Sequence, residues 1–304
     1  MMSGTKRVLV TGVTGFIGSH VLEPLRARCF EIHGTSRTSA VLPEPISHCA
    51  VDLLAPGAAA ELIASVQPSH LLHLAWMSDP GRAMASPEND RWMAATLDLF
   101  RAFASGGGGR AVLAGSCAEY DWTHSWLNEA RTPIRPATAY GVAKHATWKK
   151  IEAENRAWDV SAAWARIFFL YGPYEPKGRL VSELAAGLAA GRRVETTHGH
   201  QERDFLHVAD AAAALVALLD GPVTGTINIA SGVCVPVREV AETLGRLAGR
   251  PDLVAIGARP LSPGEPPRLA ADVTRLKNEV GFSPCYRLDD GLAATLEWWR
   301  DRSG

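Results

Sequence analysis

The chain has 304 residues and a formal net charge of -1, with 47% hydrophobic and 21% charged residues. This composition is typical of a globular protein, and so small a net charge gives no reason to expect nucleic acid or an anionic membrane surface as a partner. No apolar run approaches the roughly 20 residues needed to span a bilayer, and the N-terminal residues lack the pattern of a signal peptide. The five cysteines are scattered without metal-type spacing, so we expect no metal site and a protein of the reducing cytoplasm.

A glycine-rich turn follows the first predicted strand. The apolar run 7–11 leads into Gly12, Gly15 and Gly18, and the apolar spacing after them predicts a helix. Gly12 allows a tight turn, Gly15 lets backbone N–H groups approach a pyrophosphate, and Gly18 lets helix and strand pack closely. The helix N-terminus adds partial positive charge for an anion. The segment therefore predicts a dinucleotide-binding site, and the alternative is a purely structural turn.

Further apolar runs in the first half predict more strands. They lie at 31–35, 46–51, 71–75, 110–114 and 160–168. Because near-continuous apolar runs separated by helices are typical of a buried parallel sheet, we predict an α/β fold with a doubly wound parallel sheet of the Rossmann type. Ligands of such a sheet bind at the carboxyl ends of its strands.

The end of the second predicted strand indicates which dinucleotide binds. An acidic residue at this point usually binds the adenosine ribose of NAD, but residues 34–38 contain no carboxylate. Arg37 can form a fork to a 2′-phosphate and Ser36 can add a hydroxyl donor, although Arg37 could also be a solvated surface residue. We therefore expect NADP, as NADPH, rather than NAD. Asp52 follows the third strand, where it either accepts a hydrogen bond from the adenine amino group or is a plain loop aspartate.

Three residues predict the chemistry. Tyr140 and Lys144 are four residues apart on a predicted helix that runs to about residue 158, so both lie on one face. An isolated phenol has a pKa of about 10, and a neighbouring cation favours the phenolate, which suits the tyrosine to proton transfer. Ser116 closes the fifth strand at the ligand-binding edge and can polarise a carbonyl beside Tyr140. Taken singly, the three have ordinary alternatives: a packed tyrosine, a solvated lysine and a serine that caps a strand.

The second half is richer in proline and glycine from residue 170 onwards and predicts a smaller lobe. Its predicted elements are a helix at 180–190, an alanine-rich helix that ends at Asp220, a strand at 226–230 and two helices that end in Trp298 and Trp299. Because the chain returns to the sheet after starting this lobe, we expect the lobes to interleave. The NADP-binding domain would comprise residues 1–169 plus about 203–230, and a mixed α/β C-terminal substrate-binding lobe would comprise 170–202 plus about 231–304.

Together these motifs resemble the extended short-chain dehydrogenase/reductases, the NAD(P)-dependent nucleotide-sugar epimerase/dehydratase group. The resemblance covers essentially the whole chain and is carried by 11–18, 73–76, 166–173, 203–208 and 228–232 together with Ser116, Tyr140 and Lys144. It implies a nucleotide-sugar substrate, catalysis by these three residues, and a homodimer formed through the helices near 85–103 and 137–158. It also implies cofactor contacts from Tyr140 and Lys144 and from Gly12, Thr14, Gly15, Phe16, Ile17, Leu53, Leu74, Ala75 and Trp76.

The resemblance further implies which residues hold the substrate. Arg203 would grip the diphosphate, unless it pairs with Asp204 or Glu202, and Arg268 is a second candidate. Four tryptophans either line the same pocket or belong to the core, namely Trp76, Trp92, Trp122 and Trp126.

Departures from the family pattern narrow the expected reaction. Sugar 4,6-dehydratases carry an Asp-Glu pair directly after the serine, whereas this chain has Cys117 and Ala118, so we do not expect dehydration. Epimerase-reductases that make GDP-fucose have a histidine at the position of Tyr174. Phe169 stands where the family often has an asparagine that contacts the sugar or its phosphate, so either the sugar is deoxygenated and less polar or the phosphate is bound differently. Glu119 remains a candidate acid, although we expect it to face away along the strand.

The expected function is the NADPH-dependent reduction of a keto group, most plausibly at C4, on a nucleotide-linked 6-deoxy sugar, with Tyr140 as proton donor. A 4-epimerase that retains NAD would use the same three residues, and a reductase of non-sugar ketones would also fit the aromatic pocket. From a different class, the chain could be a non-catalytic NADP-binding regulatory protein.

Overall fold

A computed structural model describes residues 6–77, 79 and 81–302. Up to the seventh strand the elements are β1 (Arg7–Thr11), α1 (Gly18–Ala27), β2 (Glu31–Ser36), β3 (Ser47–Ala50), α2 (Ala58–Val66), β4 (His70–His73), α3 (Glu88–Ser105), β5 (Arg110–Ser116), β6 (Trp126–Leu127), α4 (Ala139–Asn155) and β7 (Ser161–Ile167). The predicted strands of the first half are all present, with ends that differ by a few residues.

The remaining elements alternate between two sheets and the helices that cover them. They are β8 (Phe169–Tyr171), α5 (Leu180–Ala189), β9 (Val194–Glu195), β10 (Glu202–His207), α6 (Val208–Asp220), β11 (Gly225–Ile229), β12 (Cys234–Pro236), α7 (Val237–Ala248), β13 (Val254–Ala255), β14 (Arg268–Ala271), α8 (Thr274–Asn278) and α9 (Leu288–Arg300).

Seven parallel strands form the large sheet in the order β11-β7-β5-β4-β1-β2-β3. The chain runs from β1 through β2 to β3 on one side, and then crosses back to add β4, β5, β7 and β11 on the other side. The direction of strand addition therefore reverses between β1 and β4, which is where a doubly wound sheet opens a ligand crevice. This arrangement confirms the predicted Rossmann-type fold.

Successive residues of β1 face opposite sides of the large sheet. Val8 and Val10 pack into one core with α1 and α6, whereas Leu9 packs into the other core with α2 and α3. All three side chains are fully buried. A strand covered on both faces has no polar side, and this explains why the strand pattern in the sequence is continuous rather than alternating.

A smaller lobe is built on the second sheet. β10 lies between β12 and β14, β6 extends the sheet beyond β14, and β8 also pairs with β10. Helices α5, α7 and α9 pack together in a third apolar core. In α7 the apolar residues Val237, Val240, Ala241 and Leu244 recur at helical spacing and are buried, so one face of this amphipathic helix is covered.

The two lobes interleave, but at different points from those we predicted. The segment 203–230 was assigned to the large domain, yet β10 belongs to the second sheet because it pairs with β8, β12 and β14. The chain rejoins the large sheet only with α6 and β11. β6 belongs to the second sheet as well, through its pairing with β14, although it falls within 1–169. Apolar runs identify strands, but they do not identify the neighbours of a strand.

None of the helices in the described part of the chain is long and apolar enough to cross a membrane. Helices α3 and α4 pack against each other on one side of the large sheet. These are the helices for which a dimer interface was expected, and that interface stays a prediction.

Candidate active site

The glycine turn joins β1 to α1 at the carboxyl edge of the large sheet. Gly12 has a φ of 70°, and its N–H donates to the Thr35 carbonyl at 2.9 Å. A Cβ at Gly18 would overlap the Gly12 carbonyl oxygen, so α1 approaches β1 this closely only because residue 18 has no side chain. The turn therefore has the tight geometry that a dinucleotide site needs.

A cavity of about 460 Å³ opens beside this turn. Of the predicted cofactor contacts, the residues that line it are Gly12, Thr14, Gly15, Ser36, Arg37, Asp52, Leu53, Ala75 and Trp76. The other five do not line it: Phe16, Ile17 and Leu74 pack their side chains against the adjacent core, and Tyr140 and Lys144 lie next to Trp76. The volume lies within the range of about 300 to 1,000 Å³ that ligand sites commonly have.

The polar groups at the ends of β2 and β3 differ in whether their atoms are available to bind a ligand. The Ser36 hydroxyl donates to the Thr38 carbonyl at 2.9 Å and lies 2.7 Å from Nε2 of His48, so it is already committed and is not the spare donor we expected. Asp52 accepts a hydrogen bond from the Leu54 N–H through Oδ1, which leaves its other oxygen for a ligand. The Arg37 side chain is exposed and has no hydrogen bond or ion pair to any residue that the structure describes.

Two further cavity residues were missed by the sequence analysis. The Thr35 hydroxyl is buried without a hydrogen-bond partner among the described residues. Arg82 reaches the cavity from the segment that links β4 to α3. No motif marks either residue, because one is an ordinary strand threonine and the other lies in a loop.

His73 fixes the end of β4 to its neighbours. Its Nδ1 lies 2.7 Å from the Thr11 hydroxyl and its Nε2 lies 2.9 Å from the Thr96 hydroxyl. Burial lowers the pKa of His73 to about 3, so the ring is neutral. The Thr11 hydroxyl also accepts from the N–H groups of residues 74 and 75, and this places the chain after β4 against the glycine turn.

The three predicted catalytic residues come together where β5 ends and α4 begins. Ser116 is the last residue of β5, and its hydroxyl caps the short turn 117–119 by accepting from the Ala118 N–H. Tyr140 lies in the first turn of α4, close enough to Ser116 for the serine to lower the pKa of the phenol. Gly141 makes this approach possible, because a Cβ there would overlap the Ala118 carbonyl oxygen.

Lys144 lies one turn further along α4 and is almost completely buried. Its Nζ donates to the Ala114 carbonyl at 2.7 Å and lies 3.8 Å from the centroid of the Trp76 ring. The Tyr140 ring centroid is 5.7 Å away. Burial lowers the pKa of Lys144 to about 7, and the Glu119 charge opposes this shift.

The pKa of Tyr140 moves in the opposite direction from the one we expected. We expected a nearby cation to favour the phenolate, but burial dominates and raises the pKa to about 12, although Ser116 and the Arg179 charge lower the pKa in part. The phenol is therefore protonated at neutral pH and suited to donate a proton.

The Glu119 side chain faces inward, where its hydrogen bonds hold neighbouring strands and the turn after β5 together. Its Oε1 accepts from the Ser116 N–H and from the Trp164 indole, both at 2.8 Å, and its Oε2 accepts from Arg166 at 3.0 Å. The expectation that it faces away is wrong, and its oxygens are occupied. The Cys117 thiol is buried in the core, and burial raises its pKa to about 12, so it is not an acid or a nucleophile at neutral pH.

The two arginines predicted to bind the substrate, Arg203 and Arg268, lie on opposite faces of the second sheet. Arg203 lies over the Phe169 ring, with 5.6 Å to the centroid, and forms an ion pair with Glu265. Arg268 instead pairs with Glu202 on the other face of the sheet, because Glu202 and Arg268 are opposite each other in the ladder while Arg203 is opposite Leu269. Arg268 is therefore not brought together with Arg203.

Residues between β8 and α5 add charge near the site. The charge of Arg179 acts on Tyr140 and on the buried Glu175, and burial raises the pKa of Glu175 to about 8. Arg179 Nε and Glu175 Oε2 have no hydrogen-bond partner within the described ranges. Tyr174 lies against His20 and Trp298 and is more than half exposed. Only the proline- and glycine-rich composition of this segment could have drawn attention to it.

Of the four tryptophans considered for the pocket, two line the cavity. Trp76 and Trp92 stack with their ring centroids 6.3 Å apart. Trp122 donates to the Cys117 carbonyl at 2.8 Å, and Trp126 is half exposed on β6. Residues 6–77, 79 and 81–302 hold no group of three or more His, Cys, Asp or Glu side chains arranged to bind a metal ion.

Comparisons with known proteins identify the family. The model of the NAD dependent epimerase/dehydratase family matches residues 8–230. The chain is 29% identical to a dTDP-glucose 4,6-dehydratase from Streptomyces niveus, over 97% of this chain and 93% of that protein. It is 28% identical to a dTDP-4-dehydro-6-deoxy-D-allose reductase from Streptomyces bikiniensis, over 97% and 96%.

A solved structure, MoeE5 in complex with UDP-glucuronic acid and NAD, is 29% identical, covers 98% of this chain and 100% of its own, and superposes with a TM-score of 0.83. These relatives include a dehydratase and a reductase, so similarity alone does not select one reaction. The family match spans the glycine turn, Ser116, Tyr140, Lys144 and the elements that carry them, and it confirms the resemblance seen in the sequence. The chain belongs to the NAD dependent epimerase/dehydratase family.

Proposed function

We propose that the protein is an NADPH-dependent reductase of a keto group at C4 of a nucleotide-linked 6-deoxy sugar. The observation that carries the proposal is the placement of Tyr140, Lys144 and Ser116: Lys144 Nζ lies 5.7 Å from the Tyr140 ring centroid and donates to the carbonyl of Ala114 in the strand that ends at Ser116, and burial raises the pKa of the Tyr140 phenol to about 12. A phenol that stays protonated at neutral pH is suited to donate a proton to a carbonyl oxygen as it is reduced.

The cavity residues fit a dinucleotide. The glycine turn lets backbone N–H groups approach a pyrophosphate, the unpartnered Thr35 hydroxyl lies buried in the wall, and Asp52 has a free oxygen. Arg37 supports NADPH over NADH, because a guanidinium without a carboxylate partner can bind a 2′-phosphate through two parallel hydrogen bonds. The bound cofactor would supply the hydride.

Each catalytic residue has a separate task in this proposal. Tyr140 protonates the carbonyl oxygen, Ser116 holds that oxygen in line, and Lys144 binds ribose hydroxyls beside the tyrosine. In the second lobe Arg203 would bind the diphosphate in exchange for its ion pair with Glu265, and Phe169 would pack against the sugar. Arg179, whose Nε has no partner among the described residues, is an additional candidate for the substrate phosphates.

The acids near the site support reduction rather than dehydration. Loss of water from a sugar needs an acid and a base at neighbouring carbons, yet positions 117 and 118 hold a thiol with a raised pKa and an alanine. Glu119, the nearest carboxylate in sequence, is fully engaged with Ser116, Trp164 and Arg166.

The test is an assay of NADPH oxidation with dTDP-, GDP- and CDP-linked 4-keto-6-deoxyhexoses, with Tyr140→Phe as the inactive control. We expect turnover with at least one of the three, and no turnover with any of them would contradict the proposal. A 4-epimerase is the second candidate, because MoeE5 at 29% identity binds NAD and a UDP-sugar. NAD that copurifies with the protein, together with epimer formation without net oxidation, would favour that reaction.

A further inference from the structure

Trp76 separates the dinucleotide cavity from the catalytic residues. Its indole lines the cavity, whereas Tyr140 and Lys144 are not among the residues that line it. The Trp76 ring centroid is 6.4 Å from that of Tyr140, with the rings nearly perpendicular, and it is 3.8 Å from Nζ of Lys144. The indole therefore lies at the wall of the cavity next to both side chains, and it covers the buried Lys144.

The indole also limits what Lys144 can bind. An ammonium has three N–H donors, and one of them is used by the Ala114 carbonyl at 2.7 Å. The Trp76 face covers Nζ at a distance typical of a cation–π contact, and Lys144 is only 2% exposed. Ribose hydroxyls cannot reach this ammonium unless a neighbouring side chain moves, and Trp76 is the side chain between Lys144 and the cavity.

One hydrogen bond to a described residue and the stack on Trp92 hold the indole in this place. Trp76 Nε1 donates to Oδ1 of Asn89 at 2.9 Å, and Asn89 is buried. Asn89 is fixed in turn, because its Nδ2 donates to the carbonyls of Ala83 and Ser86. Asn89 is therefore a fixed anchor, while the indole is held by a hydrogen bond that can break and re-form and by ring stacking on Trp92.

We propose that Trp76 is a positioning residue for Lys144, whose indole face holds the ammonium on the Ala114 carbonyl until the ribose hydroxyls of the dinucleotide replace it. The inference rests on the dinucleotide binding in the proposed function, but it does not depend on which substrate is reduced. It assigns Trp76 a role in admitting the cofactor to the catalytic residues, beyond that of a simple cavity wall.

Binding kinetics test this role directly. In stopped-flow mixing with NADPH, the observed rate for the wild-type protein should level off at high cofactor concentration, because the indole must leave before the ribose can bind. For Trp76→Ala the observed rate should increase linearly with NADPH concentration. The Kd for NADPH should be lower by roughly twofold to thirtyfold, which is the factor that corresponds to the free energy of a cation–π contact.

Trp76→Phe keeps an aromatic face but loses the bond to Asn89, so its observed rate should level off at a higher value. Trp158→Phe, an indole outside the cavity, is the matched control and should behave as wild type.

Labelling of Lys144 with an amine-reactive reagent, read by peptide mass spectrometry, gives a second readout without the cofactor. Wild type, Trp76→Phe and Trp158→Phe should be protected, whereas Trp76→Ala should be labelled and NADPH should restore protection. Equal labelling and equal binding kinetics in wild type and Trp76→Ala would overturn the inference.

If the cofactor binds with the expected kinetics but no keto sugar is reduced, the proposed reaction fails and the role of Trp76 stands. If neither NADPH nor NADH binds, both fail.

Discussion

The Glu119 carboxylate and the Arg166 guanidinium form a buried ion pair directly behind Ser116, the predicted catalytic serine. Arg166 Nε donates to Glu119 Oε2 at 3.0 Å, and the two side chains are 3% and 0% exposed. The other carboxylate oxygen accepts the N–H of Ser116, so the same group that neutralises the arginine also shapes the turn after β5. The position of the Ser116 hydroxyl therefore depends on a charge pair between residues 47 positions apart.

Glu119→Gln should destabilise the protein strongly. The substitution leaves the Arg166 charge buried without a counter-charge, and removal of one partner of a buried pair costs about 3 to 5 kcal/mol. The free energy of unfolding, measured with urea, checks this. Glu154→Gln is the matched control because it breaks the exposed pair with Arg101, and it should cost no more than about 1 kcal/mol. Similar losses of unfolding free energy in the two variants would contradict the assignment of Glu119 and Arg166 as a buried ion pair.

Tyr140→Phe should abolish most of the reductase activity and leave cofactor binding intact. The phenol is the proposed proton donor, and loss of a positioned general acid lowers kcat by roughly 10² to 10⁴. Steady-state kinetics and NADPH titration separate the two effects. Tyr174→Phe provides the comparison, since this tyrosine lies outside the site against His20 and Trp298 and should retain full activity. Undiminished turnover in Tyr140→Phe would remove the phenol from the mechanism.

Lys144 should make the stability of the protein rise with pH. Burial lowers its pKa from 10.5 to about 7, so between these values the unfolded state binds up to one proton more than the folded state. Stability contributed by this group therefore increases as the pH rises through that window. The unfolding free energy of wild type relative to Lys144→Met should increase by up to about 1.4 kcal/mol per pH unit between about pH 7.5 and 9.5. Lys149→Met, at an exposed ion pair, should show no such slope. A flat difference for Lys144→Met would mean that the buried amine keeps an ordinary pKa.

Arg37→Ala should reduce the preference for NADPH over NADH. A hydrogen bond to a charged group contributes about 1.5 to 3 kcal/mol, so the Kd for NADPH should increase roughly tenfold to a hundredfold while the Kd for NADH changes little. Fluorescence titration with both cofactors measures the ratio. Arg26→Ala removes an arginine that donates to the Glu44 carbonyl outside the cavity, and it should leave the ratio unchanged. An equal loss of both affinities in Arg37→Ala would exclude a 2′-phosphate contact.

The sequence by itself determined the fold class and the glycine turn, and it predicted Ser116, Tyr140 and Lys144 as the catalytic residues. These features are local: a strand buried on both faces is continuously apolar, and a spacing of four residues places Tyr140 and Lys144 on one side of a helix. Ser116 could be added because the carboxyl ends of parallel strands meet at one edge of the sheet.

Only the tertiary structure decided what each of these side chains contacts. Trp76 covers Lys144, the Ser36 hydroxyl is taken up by Thr38 and His48, and Glu119 turns inward to Arg166. Such contacts join residues that are usually far apart in the chain, and no periodic pattern records them. The direction of the Tyr140 pKa shift belongs to this group, because burial outweighs the nearby positive charge and burial is a property of the folded chain.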